Sequence, residues 1–398
     1  MSKVISLAVL LVLTLTTHVF SEQARLIPLE ELRAQADEVL RQSNVSARKD
    51  IEVVFKLVDR LLAENQQEDA EKYLVKGLEH FPWNLKYQVV YTEMLSKKGQ
   101  QKKAEERAAL VFKYAETDEL IEWARKILRK GPLPKFAGIS TLPGTDYCVV
   151  LIPFQECDKW LIARMKDELS TTLRIPVFIQ TINTKYPPYS RDRRQAALSR
   201  LRKQLIEKVN DIQVADGMKN LGLTQEDLKE DGNVVKLMKY LLRNSGAEAT
   251  AQFDTFLKDS TGKDPQWDAD QLQATLFQAV DPYRRKNVAY LGITPVDMYA
   301  NDYNFLFGWA NSSGGIMSYR RFTADFNNEI PNQDRLIKRT FMQSLASVGH
   351  IYGIKRCTNP TCARAYPNSL SEHDAKEGKL CSECSNGFRT KFGGRGER

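Results

Sequence analysis

The chain has 398 residues, 42% of them apolar and 27% charged, ordinary proportions for a folded protein long enough to build two or three cores. A formal charge of +8 favours acidic partners only weakly, and no nucleic-acid-binding motif accompanies it.

Residues 1–21 read as a secretory signal peptide. Lys3 is the basic start, Ile5 to Leu15 the apolar run, and Val19-Phe20-Ser21 a small-residue cleavage site before Glu22. The run is short for a membrane-spanning helix, with an uncleaved anchor as the alternative, and no other segment is apolar enough to span a bilayer. Cleavage lowers the formal charge by one and leaves a soluble, exported protein, whether extracellular, periplasmic or in an endomembrane lumen. Asn44-Val45-Ser46 and Asn311-Ser312-Ser313 are glycosylation sequons that matter in a eukaryotic source.

Residues 22–135 are expected to be all helix, with apolar side chains recurring at three and four, as in Ile51, Val54, Leu57, Val58 and Leu61. An internal period of 34 relates Leu61 to Leu95, Asn65 to Gly99, Ala70 to Ala104 and Leu78 to Phe112, and resembles a pair of tetratricopeptide repeats. Asn65 and Gly99 suit left-handed turns between helices, the two alanines allow close approach, and Pro82 ends a helix. The second repeat has Glu116 where that proline would fall, and Asp118 to Leu128 serves as a cap. Such repeats either present a concave peptide-docking groove or act as a packing scaffold. Gly131-Pro132-Leu133-Pro134 reads as the linker that follows.

Beyond the linker, short apolar runs alternate with helical patterns. Cys148 to Pro153 and Pro176 to Thr181 read as strands around a helix from Lys159 to Leu173. Tyr186-Pro187-Pro188-Tyr189 is a loop. A basic helix then runs from Arg191 to Val209, where Arg193, Arg194, Arg200, Arg202 and Lys203 form a solvated face or an acidic-partner surface. Residues 215–279 read as an insertion with helices at Leu221–Leu242 and Thr250–Leu257 and turns at 230–233 and 261–265. It covers a cleft, binds a partner or decorates the surface.

Near the C-terminus Cys357 and Cys362 form C-x4-C, and Cys381 and Cys384 form C-x2-C. This is ligand spacing for one Zn2+ held by four thiolates, a closed structural site, with two disulfides as the alternative in an oxidising compartment. Upstream lie three blocks: Tyr290-Leu291-Gly292-Ile293-Thr294-Pro295-Val296-Asp297-Met298-Tyr299, then Asn304-Phe305-Leu306-Phe307-Gly308-Trp309-Ala310, then Ile316-Met317-Ser318-Tyr319-Arg320-Arg321-Phe322. Together with the cysteines they make the chain resemble the archaemetzincins, a family of zinc proteases, from about Tyr147 to Phe388 apart from the insertion. The resemblance implies an α+β metzincin-like domain over 146–392, in which these blocks form a sheet whose edge strand lines the substrate cleft. A flexible tail, 393–398, follows.

The family signature, H-E-x-x-H-x-x-G-x-x-H, supplies three zinc-binding histidines and a glutamate base. Registered on His350 and Gly353, the first histidine position holds Ala346, the glutamate position Ser347 and the third histidine position Arg356, while the methionine after the second cysteine is replaced by Arg364. Alanine offers no ligand, and arginine stays protonated and cannot bind zinc. No H-E-x-x-H occurs elsewhere, and the other histidines of the mature chain are His80 and His373. The expected protein is a pseudo-metalloprotease with one structural zinc and no catalytic zinc, binding a peptide or protein in the repeat groove or the old cleft. The alternatives are a divergent peptidase using Ser347 or Ser344 near His350, and a structural role in an exported assembly. Arg356 binds a carboxylate or is a solvated surface residue, His350 reads as a packed helix residue rather than a ligand, and His373 is a weak fifth metal candidate. Cys148 and Cys157 form a disulfide or remain two buried thiols.

Overall fold

The computed structural model describes residues 27–41, 48–133, 147–182, 186–187, 190–191, 193–243, 265–300 and 303–393. The signal peptide, the first sequon, the Thr250–Leu257 helix, Pro134, Pro188, Tyr189 and the tail beyond Gly393 lie outside them, as does the 261–265 turn apart from Pro265. The chain divides into two compact units: residues 1–134 with 328–335, and residues 135–327 with 336–398. Among the described residues no helix is long and apolar enough to cross a membrane.

The first unit contains helices α1 (Leu29–Arg41), α2 (Arg48–Ala63), α3 (Gln67–His80), α4 (Leu85–Lys97), α5 (Gln101–Tyr114) and α6 (Asp118–Ile127). The turns between α2 and α3 and between α4 and α5 pass through left-handed residues, Asn65 at φ +59° and Gly99 at φ +71°, the two positions that the 34-residue offset relates. Ala70 and Ala104 are fully buried where neighbouring helices meet. The Phe55 and Tyr87 rings stack at 4.2 Å, and the Tyr87 hydroxyl donates to Asp59 at 2.9 Å. An aromatic with a polar end is thereby both buried and satisfied.

The second unit is built on a five-stranded sheet of order β2-β1-β5-β9-β8, comprising β1 (Cys148–Pro153), β2 (Val177–Ile179), β5 (Val288–Thr294), β8 (Gly308–Asn311) and β9 (Gly314–Ser318). The first four in that order run parallel, and β8 lies antiparallel on β9 at the edge. Every residue of β1 is buried, as expected of an apolar strand covered on both faces. Helix α7 (Lys159–Leu173) joins β1 to β2 and buries Leu161, Ile162, Met165 and Leu169 at helical spacing. A second sheet, β3-β4-β6-β7, comprises β3 (Ser190–Arg191), β4 (Gln266–Asp268), β6 (Asp297–Ala300) and β7 (Tyr303–Leu306). Asp297 is fully buried at its centre and accepts from Arg321 at 2.7 and 3.1 Å and from Gln266 at 2.6 Å. A buried carboxylate needs such a complete set of partners.

The insertion departs from expectation at both ends. Residues 265–280 belong to the domain core: β4 pairs with β6, and helix α11 (Ala269–Val280) buries Leu272, Leu276 and Val280 in the same cluster as β1 and β5. Asp268 caps that helix by accepting from the N–H groups of Asp270 and Gln271. The helical stretch expected over Leu221–Leu242, with its turn at 230–233, breaks earlier, over 222–230. Helix α9 (Ile212–Leu221) stops at Gly222, φ +64°, and α10 (Asp231–Arg243) begins after a 3-10 turn at Glu226–Lys229. The glycine supplies a left-handed C-terminal stop, and Asp227 holds the Thr224 N–H at 2.7 Å. Helix α8 (Arg193–Glu207) shares a small apolar core with these two through Leu198, Leu205, Val214, Met218, Val234 and Leu237. Arg202 of the expected solvated face instead turns inward, donating to Leu228 O at 2.7 Å and Asp231 at 2.6 Å.

Helix α13 (Gln333–Ile351) buries residues on all sides, from Leu336 and Arg339 through Leu345 to Ile351. It meets the sheet at β9, where Ser344 Oγ lies 3.0 Å from Met317 Sδ. Short helices α12 (Ala324–Asn327), α14 (Leu370–Asp374) and α15 (Ser382–Lys391) complete the unit.

Candidate metal centre and cleft

Helix α13 ends at a left-handed Gly353, φ +74°, and the chain then turns into the cysteine region. Cys357, Cys362, Cys381 and Cys384 converge so that their ligand atoms all lie within 4.8 Å of one another. Cys357 Sγ and Cys381 Sγ are 3.6 Å apart. A tetrahedral site with Zn–S bonds of about 2.3 Å has sulfur–sulfur edges of about 3.8 Å, so the donor set fits zinc in both chemistry and span. Backbone N–H groups point at the sulfurs: those of Arg364 and Cys381 lie 3.5 and 3.4 Å from Cys362 Sγ, and that of Cys384 lies 3.5 Å from Cys381 Sγ, where Cys381 also caps α15. Burial pushes the Cys357 and Cys384 thiols up, whereas the Cys384 N–H holds Cys381 down. A cation at the centre would favour ionisation of all four.

The positions expected from the degenerate signature lie around one cleft of about 700 Å³. Ala346, Ser347 and His350 come from α13, Arg356 and Arg364 from the segment around the first cysteine pair, and Gly308, Trp309 and Ala310 from edge strand β8. Gly308 allows that strand to lie directly on the helix: a Cβ there would stand 3.0 Å from Ser347 Oγ and closer still to Gln343 Nε2. Ser347 is buried and accepts from Gln343, and Ser344 is buried and donates to Thr340 O at 2.8 Å. Neither serine is hydrogen-bonded to His350 among the described residues. His350 is exposed, and its pKa is lowered by partial burial and by the Arg356 and Arg364 charges, which keeps the ring neutral at pH 7.

Two features escaped the sequence reading. Arg364 is buried and donates to Ile354 O at 2.9 Å and to Cys384 Sγ at 3.4 Å, so it belongs to both the cleft wall and the cysteine cluster. Tyr303 and Tyr366, among the exposed large apolar side chains of the protein, also line the cleft. The replaced methionine was the only signal for Arg364, and an exposed tyrosine has none.

His373 lies outside the cysteine cluster. It is fully buried against the Phe307 and Phe322 rings, with neither ring nitrogen hydrogen-bonded among the described residues. Burial, then the Lys376 and Arg339 charges, pull its pKa down to about 2. Cys148 and Cys157 are not joined by a disulfide, and Cys157 donates to Ile293 O at 3.0 Å.

A family model described as peptidase family M54 matches residues 263–390. The archaemetzincin of Pyrococcus furiosus is 31% identical over 110 residues, 27% of this chain and 57% of that protein. The archaemetzincin of Thermococcus kodakarensis is 32% identical over 136 residues, 29% of this chain and 73% of the relative. A crystal structure of archaemetzincin from Methanopyrus kandleri covers 63% of this chain and 98% of its own at 17% identity, with a TM-score of 0.37. The chain spans 54–63% of the length of several curated relatives.

Proposed function

We propose that this chain, which belongs to the archaemetzincin family, is a pseudo-metalloprotease that binds peptides in the inherited cleft without cutting them. The observation that carries this reading is the cleft lining itself. Where the family mechanism needs a first histidine, a glutamate and a third histidine, the wall carries Ala346, Ser347 and Arg356. One imidazole, His350, is left, too few ligands to hold a catalytic zinc, and among the described residues no carboxylate stands in the lining to activate water. The serine alternative gains no support from Ser347 and Ser344, whose hydroxyls are engaged with Gln343 and Thr340.

The four cysteines would hold one structural zinc, fastening α15 and the Cys357–Cys362 turn beneath the cleft. The N-terminal helices would act as a tetratricopeptide-like domain, either a second docking groove or a scaffold. The leader at residues 1–21 would export the protein and be removed, leaving it free of a membrane span.

Elemental mass spectrometry of the purified mature protein, with a free-thiol count and a peptide-turnover assay, tests the reading. One zinc per chain without turnover is expected. Two zincs, or turnover abolished by Ser347→Ala, would restore the peptidase alternative, and zero zinc without free thiols would mean that the four cysteines are disulfides.

A further inference from the structure

The geometry points to a specific ligand chemistry for this cleft: we propose that it captures peptides by their free C-terminal carboxylate, with the peptide main chain paired to β8 and the carboxylate on Arg356. The inference rests on the peptide-cleft reading above and goes beyond it in naming what is recognised.

Charge is the first argument. Arg356 and Arg364 both line the cleft, and among the described residues no aspartate or glutamate does. The other functional-looking arginines of this unit are neutralised: Arg321 by Asp297, Arg339 by Asp374 and Arg320 by Asp325. Arg356 differs. Among the described residues its guanidinium has no carboxylate and no hydrogen-bond acceptor, only the Tyr366 ring with its centroid 4.2 Å away. Stacking of this kind holds the planar fork in place and leaves its N–H edge available for bidentate recognition of a carboxylate. Arg364 adds a second, buried guanidinium, whose charge faces the sulfur of Cys384. Its bonds go to a carbonyl and a cysteine sulfur, and its Nε has no partner among the described residues. Two guanidinium groups thus stand in the cleft where the family keeps one divalent metal, and Arg364 is answered by the cysteine cluster while Arg356 is not.

Shape is the second argument. β8 is the edge of its sheet, and the Gly308 backbone lies on Gln343 and Ser347 of α13. A peptide strand added to that edge continues over the same helix face, past Ala346 and His350, which follow Gln343 at helical spacing. A chain terminus lies in the plane of such a strand, whereas side-chain carboxylates alternate above and below it. Tyr303, Trp309 and Tyr366 offer aromatic surface to the peptide side chains.

The zinc-loaded mature protein is immobilised and exposed to two randomised hexapeptide pools, one with free C-terminal carboxylates and one amidated. Retained peptides are identified by mass spectrometry, and the best is titrated by fluorescence anisotropy. Retention of the free-acid pool is expected, with amidation weakening binding by about tenfold to a hundredfold, the range of a lost charge-assisted contact. Arg356→Gln should produce a similar loss while zinc content and thermal midpoint stay unchanged. Equal retention of both pools, with no effect of Arg356→Gln, would overturn the carboxylate proposal and leave peptide binding standing. Selection of internal Asp or Glu irrespective of the terminus would overturn it in favour of side-chain acids. Retention of neither pool would remove the peptide-cleft reading as well.

Discussion

Arg364 lies flat against Gly349: a Cβ on that glycine would overlap Nε, Cζ and Nη2 of the guanidinium. The missing side chain of one residue is the space occupied by the charge of the other. Through its bonds to Cys384 Sγ and Ile354 O, Arg364 connects the C-terminal end of α13 to the cysteine cluster that follows it.

Gly349→Ala should therefore displace a buried arginine. The expected destabilisation is about 2–4 kcal/mol, combining overpacking with lost hydrogen bonds, measured by denaturant unfolding. Arg364→Ala removes the clash, so the double variant should be less destabilised than the sum of the two single ones. Strict additivity would show that the two residues do not share one space.

Zinc removal should weaken the fold, because the four sulfurs gather α15 and the 357–365 turn around one point. Chelation, or Cys362→Ser, is expected to cost roughly 4 kcal/mol or more and about 10 °C in thermal midpoint. Scanning calorimetry with and without chelator checks this, and an unchanged midpoint would argue against a metal at the cluster.

Asp374→Ala should strand a buried charge. Arg339 is 1% exposed and makes a bidentate pair with Asp374 at 2.7 and 2.6 Å, while its remaining nitrogen Nη1 donates to Phe322 O at 3.0 Å. Removing the acid leaves the guanidinium in place without its counter-charge, at an expected cost of about 3–5 kcal/mol. Replacing Arg339 as well, by Met, should recover part of that loss in equilibrium unfolding.

His373 gives the fold a pH dependence of determinate sign. Its pKa falls from the ordinary 6.5 to about 2 in the folded protein, so above 6.5 both states are neutral and nothing is lost. Below 6.5 the unfolded chain takes up a proton that the folded one refuses, and stability falls by about 1.4 kcal/mol per pH unit until pH approaches 2. His373→Phe should flatten the unfolding midpoint between pH 6.5 and 4 relative to the parent. An identical slope would place the titration elsewhere.

Much of this architecture was legible because the underlying chemistry constrains spacing. Four thiolates on one cation require short, fixed intervals, and Cys357, Cys362, Cys381 and Cys384 keep them. A buried parallel strand must be apolar throughout, as Cys148 to Pro153 is. Asn65 and Gly99 announced their turns because few residues tolerate positive φ. What stayed hidden depends on distant parts of the chain meeting. Leu272, Leu276 and Val280 show a helical period, but nothing local says that this helix lies on β1 and β5 rather than in an insertion. The Gly349–Arg364 fit has no pattern at all, since it is a complementarity of volume between residues on separate elements.

An open sheet edge carries a hazard as well as an opportunity. The backbone of β8 offers a template for any strand, including the same strand of another copy, and proteins commonly guard such edges with charge. Arg356 and Arg364 stand in the cleft that β8 walls. Two molecules docking edge to edge would bring their Arg356 guanidinium groups together with no aspartate or glutamate among the described lining residues, so like-charge repulsion discourages self-pairing at this edge while leaving it open to a strand that brings its own negative charge.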